Sequence, residues 1–322
     1  MQFLIWFGFL VIVLLVLALD LGLIHRRDKV IQLKESIGWT AFYVLLALLF
    51  GVLVYFIYKH HWFGFGTSRA LHATGREAAL AFYTGYLIEE SLSLDNIFVI
   101  SLVFRYFAVP LQLQHRVLFW GILGAIVMRG LMIGVGAALI LHFEWIMYVF
   151  GAILLLTALK MARTESEEIH PDRNPVVRAV RRIYPVTSHF EGHQFFTRLA
   201  GRRAITPLFL TLLIVESSDV VFAVDSVPAI FSVTRDPFIV FTSNIFAILG
   251  LRSLYFVLAS LTVRFQYLRH SIVALLAYIG VKMLISKLVP IPNHVSLIVV
   301  AGLLTLGILL SLRRRPEPEA DL

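Results

Sequence analysis

Carboxylates stand where apolar text leaves least room for them: Glu89 and Asp95 in YLIEESLSLDNIFVI, and Asp219 and Asp225 in VESSDVVFAVDSVPAI. Each pair is six residues apart. An acid at the middle of a membrane helix costs about 2.5 to 3.5 kcal/mol on insertion scales, so a chain keeping several must offset that with partners or ions. Glu216 lies three residues before Asp219 and would share its helix face. With Asn96, Ser226 and Asn244 as neutral oxygens, the acids Glu89, Asp95, Glu216, Asp219 and Asp225 form a candidate all-oxygen cage. Such a donor set suits a hard divalent cation, and the residues alone leave manganese, magnesium and calcium open. Protons would compete for clustered buried carboxylates, which points to cation/proton exchange.

Geometry limits how these groups meet. Over six residues an unbroken helix turns about 600° and rises about 9 Å, leaving the two acids of a pair roughly 120° apart. Ser91, Ser93, Ser217, Ser218, Ser226 and Pro228 supply groups that interrupt helices, so discontinuous helices are expected here. Structural pairing is the competing reading: Arg129, Arg252, Lys160 or Lys282 could neutralise one or two of the acids inside a bundle. Glu90 reads as an edge residue or a partner of a base, and Asp20 as interfacial beside Arg26 and Arg27.

The elements that must position these residues are membrane helices. Of 322 residues 59% are hydrophobic and 15% charged, which indicates a polytopic membrane protein. Apolar windows give nine expected spans, near 3–24, 40–59, 77–103, 117–141, 144–162, 205–231, 237–259, 268–288 and 294–312. The first runs into His25, Arg26 and Arg27 without a small-residue cleavage site and reads as a retained helix. A net charge of +8 sorts by membrane side instead of forming a nucleic-acid patch. Arg26, Arg27, Lys29, Lys34, Arg105, Arg116, Arg163, Arg173, Arg178, Arg181, Arg182, Arg198, Arg202, Arg203, Arg264, Arg269 and Arg313 to Arg315 fall on one side; Lys59, Arg69, Arg76, Arg235 and Lys287 fall on the other. The N-terminus is therefore expected outside and the C-terminus in the cytoplasm. With no cysteine, disulfides, thiol redox centres and thiolate metal sites are excluded within the chain.

The expected architecture is one all-α membrane domain over 1–322, built from two inverted three-helix repeats, 77–162 and 205–288, around a cytoplasmic linker, 163–204. Glu89 aligns with Asp219, Asp95 with Asp225 and Asn96 with Ser226; ILGAIVMRGLM aligns with ILGLRSLYF, and LTALKMA with YIGVKML. An odd number of helices per copy reverses the second copy's orientation. The linker opens with Glu165, Glu167 and Glu168, then offers Val176, Val177, Val180 and Ile183 at helical spacing, which fits a short helix on an anionic membrane surface. His189, Glu191 and His193 would form a metal clip only on an extended strand; a solvated loop is expected. His60 and His61 read as outer-loop residues, while Trp39, Tyr58, Trp62, Phe63 and Trp145 read as interfacial anchors.

The blocks GYLIEESLSLDNIFV, VESSDVVFAVDSVPAIF and TRDPFIVFTSNIFAILGLRSLYF resemble signature blocks of the TerC family of integral membrane proteins, in its Alx-like branch, and the likeness spans nearly the whole chain. That resemblance implies a helix bundle in the bacterial inner membrane, acidic site residues at Glu89, Asp95, Glu216, Asp219 and Asp225 and, as for several members, manganese export from the cytoplasm. Partners are then the bilayer, the divalent cation and protons, with no permanent cofactor. An intramembrane aspartyl protease is disfavoured, because neither Asp95 nor Asp225 follows a Gly-x-Gly block, and no enzymatic activity is expected. The remaining reading is a scaffold or redox-linked regulator of the tellurite-resistance type, without transport of its own.

Overall fold

The computed structural model describes residues 2–24, 33–67, 73–143, 145–163, 174–199, 201–260 and 266–313. His25, Arg26, Arg27, Lys29, Arg69, Glu165, Glu167, Glu168, Arg173, Arg264, Arg314 and Arg315, and the side chains of Asp20 and Arg313, lie outside the described residues. The order is α1 (Gln2–Ile24), α2 (Leu33–Lys59), a 3₁₀ turn (Trp62–Gly64), α3 (Gly75–Tyr106), α4 (Leu111–His142), α5 (Ile146–Arg163), α6 (Pro175–Ile183), β1 (Phe196–Leu199), β2 (Arg202–Ile205), α7 (Pro207–Phe231), α8 (Pro237–Ser260), α9 (Gln266–Ile285) and α10 (Asn293–Arg313). Each of the nine expected spans falls on a helix. Six of these, α2, α4, α5, α7, α8 and α10, are long and apolar enough to cross a membrane. In α1 the strongly apolar run is shorter, Phe3–Leu19. Glu89, Glu90 and Asp95 dilute the apolar character of α3.

Apolar side chains cover the outside of the bundle, among them Phe3, Leu4 and Phe7 of α1, Leu45 and Leu49 of α2, and Val127, Leu131 and Val135 of α4. A surface of that kind is stable against lipid rather than water. The centre is α8, 94% of whose span is buried, against 22–33% for the other five crossing helices. It contacts α1, α2, α3, α4 and α7. Small residues set the closest crossings: a Cβ built on Gly280 would lie 3.0 Å from the Gly151 carbonyl oxygen, and one on Gly151 would lie 3.0 Å from that of Gly280. This brings α5 and α9 together backbone to backbone.

Two apolar cores divide the bundle. The larger includes Phe82, Ile88 and Leu92 of α3, Ile122 and Ile133 of α4, Ala223 and Ile230 of α7, and Ile245 to Leu249 of α8. The smaller gathers Ile97, Ile100 and Phe104 of α3, Leu113, Val117 and Leu118 of α4, Leu208, Leu210, Ile214 and Val215 of α7, and Leu251 and Tyr255 of α8, together with Val177 of α6. On each of these four helices the changeover falls close to the residues of the acidic motifs or their packing partners.

One expectation about local structure is corrected. Neither α3 nor α7 is broken, and Pro228 sits inside α7 near its C-terminal end. Hydroxyls bond within the helices without opening them: Ser91 donates to the Leu87 carbonyl and Thr84 to that of Leu80 in α3, and Ser217 to that of Ile214 in α7, while Ser93 Oγ is buried without a partner. The linker helix α6 forms where expected, capped by Asn174, whose Oδ1 accepts from the amides of Val176 and Val177. Part of its apolar face packs on protein: Val177 is fully buried in the smaller core and Asn174 Nδ2 donates to Ser217 Oγ of α7 at 2.7 Å, while Val176 and Ile183 stay exposed. Lipid is not needed to cover Val177 because α7 already does so.

Candidate functional site: a buried carboxylate and guanidinium cluster

Arg129, from the middle of α4, is fully buried, and its guanidinium gathers groups from three other helices. Nη1 donates to Glu89 of α3 in a short ion pair, and at 3.2 Å each to Ser226 Oγ of α7 and Asn244 Oδ1 of α8. Nη2 and Nε donate to the two carboxylate oxygens of Asp219 of α7, at 2.8 and 3.2 Å, a fork-to-fork pair. Asn244 Nδ2 donates to the other oxygen of Glu89 at 2.9 Å. Asn96 Nδ2 reaches Asp219 Oδ1 at 3.3 Å. In low dielectric such a cluster is held by one guanidinium shared between two carboxylates, with directed hydrogen bonds to each.

Five residues singled out by sequence therefore meet around one guanidinium: Glu89, Asn96, Asp219, Ser226 and Asn244. The other three acids stand apart from it in different ways. Glu216, one helical turn before Asp219, lays its carboxyl group against Gly124 of α4, in the space a Cβ there would fill. Asp225 turns toward α5, accepting from Thr157 Oγ1 at 2.9 Å with Lys160 close enough to act electrostatically. Asp95 projects from α3 about 120° around from Glu89, as an unbroken helix requires. Among the described residues no three His, Cys, Asp or Glu side chains come together in a metal-holding group.

A cavity of about 30 Å³ opens between α3, α4, α7 and α8 at the seam of the two cores. Asp219, Asn96 and Ser218 supply its polar lining, with Gly121, Ala125, Phe222 and Ile248 among its apolar walls. A void of that size takes one or two waters or a bare ion. Asn96 is 4% exposed, and its Oδ1 is buried without a hydrogen-bond partner. A buried carbonyl oxygen lacking a donor costs roughly 1 to 3 kcal/mol, and on a polar cavity wall it is a ready ligand for a cation or a bound water.

Other candidate residues fall elsewhere. His189 and Glu191 are exposed, and the backbone between Glu191 and His193 turns at Gly192, at φ 52°, instead of running extended, so the three side chains do not line up. His60 and His61 follow α2 beside the exposed Trp62 and Phe63, in the exposed connection to the 3₁₀ turn. Lys282 donates to Ser296 Oγ at 2.8 Å and ties α9 to α10, instead of neutralising one of the motif acids. Sequence reasoning passed over Asp236, which accepts from Tyr58 OH at 2.6 Å and from the Phe238 amide at 3.0 Å. An aspartate directly before the helix-opening Pro237 was the available signal, since that is an N-cap arrangement.

Comparison with known proteins fits this picture. Residues 74–318 match the Integral membrane protein TerC family. A Myxococcus xanthus protein, "Uncharacterized membrane protein STKORF319", is 48% identical over 319 residues, covering 98% of this chain and 95% of that one. A Salmonella typhi protein named "Putative membrane-bound redox modulator Alx" is 47% identical over 313 residues, covering 96% of this chain and 94% of its own. A Rickettsia felis membrane protein is 41% identical over 310 residues, covering 96% and 98%. No solved structure matches the chain. A family match over most of the sequence and near full-length relatives agree: the chain belongs to the TerC family of integral membrane proteins.

Proposed function

We propose that this protein is a secondary transporter that carries divalent cations, Mn²⁺ foremost, out of the bacterial cytoplasm across the inner membrane. The observation that carries this reading is the buried cluster of Glu89, Asp219, Asn96, Ser226 and Asn244 beside a small cavity on whose wall Asn96 Oδ1 lacks a donor. Its donors are all oxygens, the chemistry of a hard divalent ion. Glu216 and Asp219 are one helical turn apart on α7, so cargo held at the cavity would be passed between them; Asp95 and Asp225 lie farther along the same helices as steps on the route. The choice of manganese follows the family resemblance.

Packing supports the inverted-repeat plan. Under the alignment α3 corresponds to α7, α4 to α8 and α5 to α9; α3 packs on α8 while α7 packs on α4, the same pairing with the copies exchanged. The remaining strong repeat contacts, α3 with α7, α4 with α8 and α5 with α9, each join a helix to its own counterpart. A two-fold relation produces this pattern, and it places Glu89 and Asp219 across the axis, where transporters of this plan bind cargo. In this topology α1, α3 and α9 also span, giving nine crossings with the N-terminus outside and α6 on the cytoplasmic face.

Flux of Mn²⁺ into proteoliposomes containing only this protein tests the assignment. Saturable flux that responds to an imposed pH gradient is expected, and Asp219→Asn should reduce it at least ~10-fold, as loss of a charged ligand does. Flux no greater than that of empty vesicles would instead favour a scaffold or redox-linked regulator.

A further inference from the structure

The Arg129 guanidinium makes contacts that a metal ion would want. Its acceptors are two carboxylates, Glu89 and Asp219, and two neutral oxygens, Ser226 Oγ and Asn244 Oδ1, drawn from three helices. All four had been singled out as cation ligands on sequence grounds alone. A guanidinium carries one positive charge through five fixed donors, so it can offset one of the two carboxylates and order such a cage. It is also anchored: Arg129 is fully buried, on an unbroken stretch of α4. The cavity lined by Asp219 and Asn96 lies beside it, so an ion entering there meets Asp219 while that carboxylate is still held by Arg129.

We propose that Arg129 is a tethered resident cation: cargo binds by taking Glu89 and Asp219 from its guanidinium, and when cargo leaves the guanidinium returns. This rests on the transporter reading above. It answers a need of any carrier in lipid, whose acids must be neutralised on the return step as well as the loaded one. The described contacts already supply one permanent charge in place, which offsets one of the two carboxylates and is shared between them. Exchange of one cation for another at the same oxygens also sets selectivity. A monovalent ion brings no more charge than the guanidinium and lacks its several directed hydrogen bonds, whereas a divalent ion outbids it.

Binding and stability measurements on purified protein, with Mn²⁺ alone as the probe, test the exchange. If the guanidinium must be displaced, its hold lowers apparent affinity by the fraction of time the acids are free. Arg129→Gln should therefore bind Mn²⁺ at least ~10-fold tighter than wild type. The variant should melt at lower temperature without metal, and Mn²⁺ should restore the loss, because the ion replaces the missing charge. Arg129→Lys, a point charge without the fork, should fall between the two. Should Arg129→Gln not fold, infrared difference spectra of the wild-type protein decide: Mn²⁺ should shift guanidinium bands that disappear from the difference spectrum of Arg129→Lys. Wild-type protein that binds Mn²⁺ with those bands unchanged, or a folded Arg129→Gln whose affinity and melting temperature ignore Mn²⁺, would overturn the exchange and leave transport standing. Wild-type protein that neither binds nor moves Mn²⁺ would overturn both.

Discussion

At the scale of single residues the chemistry turns on what neutralises a buried acid. Glu89 and Asp219 share Arg129, and Glu89 also accepts from the neutral amide of Asn244. Removing one member of a buried ion pair costs about 3 to 5 kcal/mol, because the survivor is left charged in low dielectric. Asn244→Leu should be milder than Glu89→Leu, since it removes a neutral acceptor from Arg129 and one donor from Glu89, about 1 to 3 kcal/mol. Thermal unfolding in detergent without metal should rank the two in that order. The acids were legible in the sequence because charges in apolar text stand out. Their common partner was legible only as one of four candidate bases, since Arg129 and Arg252 occupy similar text and nothing local says which one faces α3 and α7. Asp225 shows the same limit. Its acceptor role toward Thr157 depends on α5 lying against α7, a contact between residues 68 positions apart.

Among the elements, helix continuity and small residues decide the geometry. The expected spans map onto helices because long apolar runs leave the backbone one way to satisfy itself in lipid. The expected breaks in α3 and α7 did not form; hydroxyls of Ser91 in α3 and Ser217 in α7 bond to carbonyls about one turn back and leave the helices intact. Unbroken helices point the two acids of a pair at different neighbours, and this is why Glu89 meets Arg129 while Asp225 meets Thr157. Packing of α5 on α9 relies on Gly151 and Gly280, so Gly280→Leu should force the helices apart and destabilise the bundle by about 1 to 3 kcal/mol. A fall in melting temperature without loss of Mn²⁺ affinity is the expected signature, because neither glycine touches the cluster. Gly124→Ala acts elsewhere: its Cβ would occupy the place of the Glu216 carboxyl group. Here Mn²⁺ flux should fall while the melting temperature changes little.

For the whole molecule two apolar cores meet at a polar layer that holds the cavity, with the smaller core on the α6 side; under the proposed transport that core would be the barrier there. The linker was read from its amphipathic spacing as a membrane-surface helix, and that spacing could not tell that Val177 faces α7 while Val176 and Ile183 stay exposed. In the fold it buries Val177 and bonds Asn174 to Ser217, two residues from Asp219. A chain without cysteine makes accessibility a direct test of this arrangement. A single cysteine at Ser217 should react slowly with a membrane-impermeant thiol reagent applied from the cytoplasmic side, and faster when Val177→Glu prevents α6 from docking. The same reagent should reach a cysteine at Trp62 only from outside. Central to the account is that a cation crosses through the layer holding Glu89 and Asp219. Uptake of Mn²⁺ by proteoliposomes containing wild-type protein, set beside Asp219→Asn, measures this most directly: saturable uptake by the wild type, at least ~10-fold reduced in the variant, is predicted, and equal uptake by both, or none above empty vesicles, would contradict it.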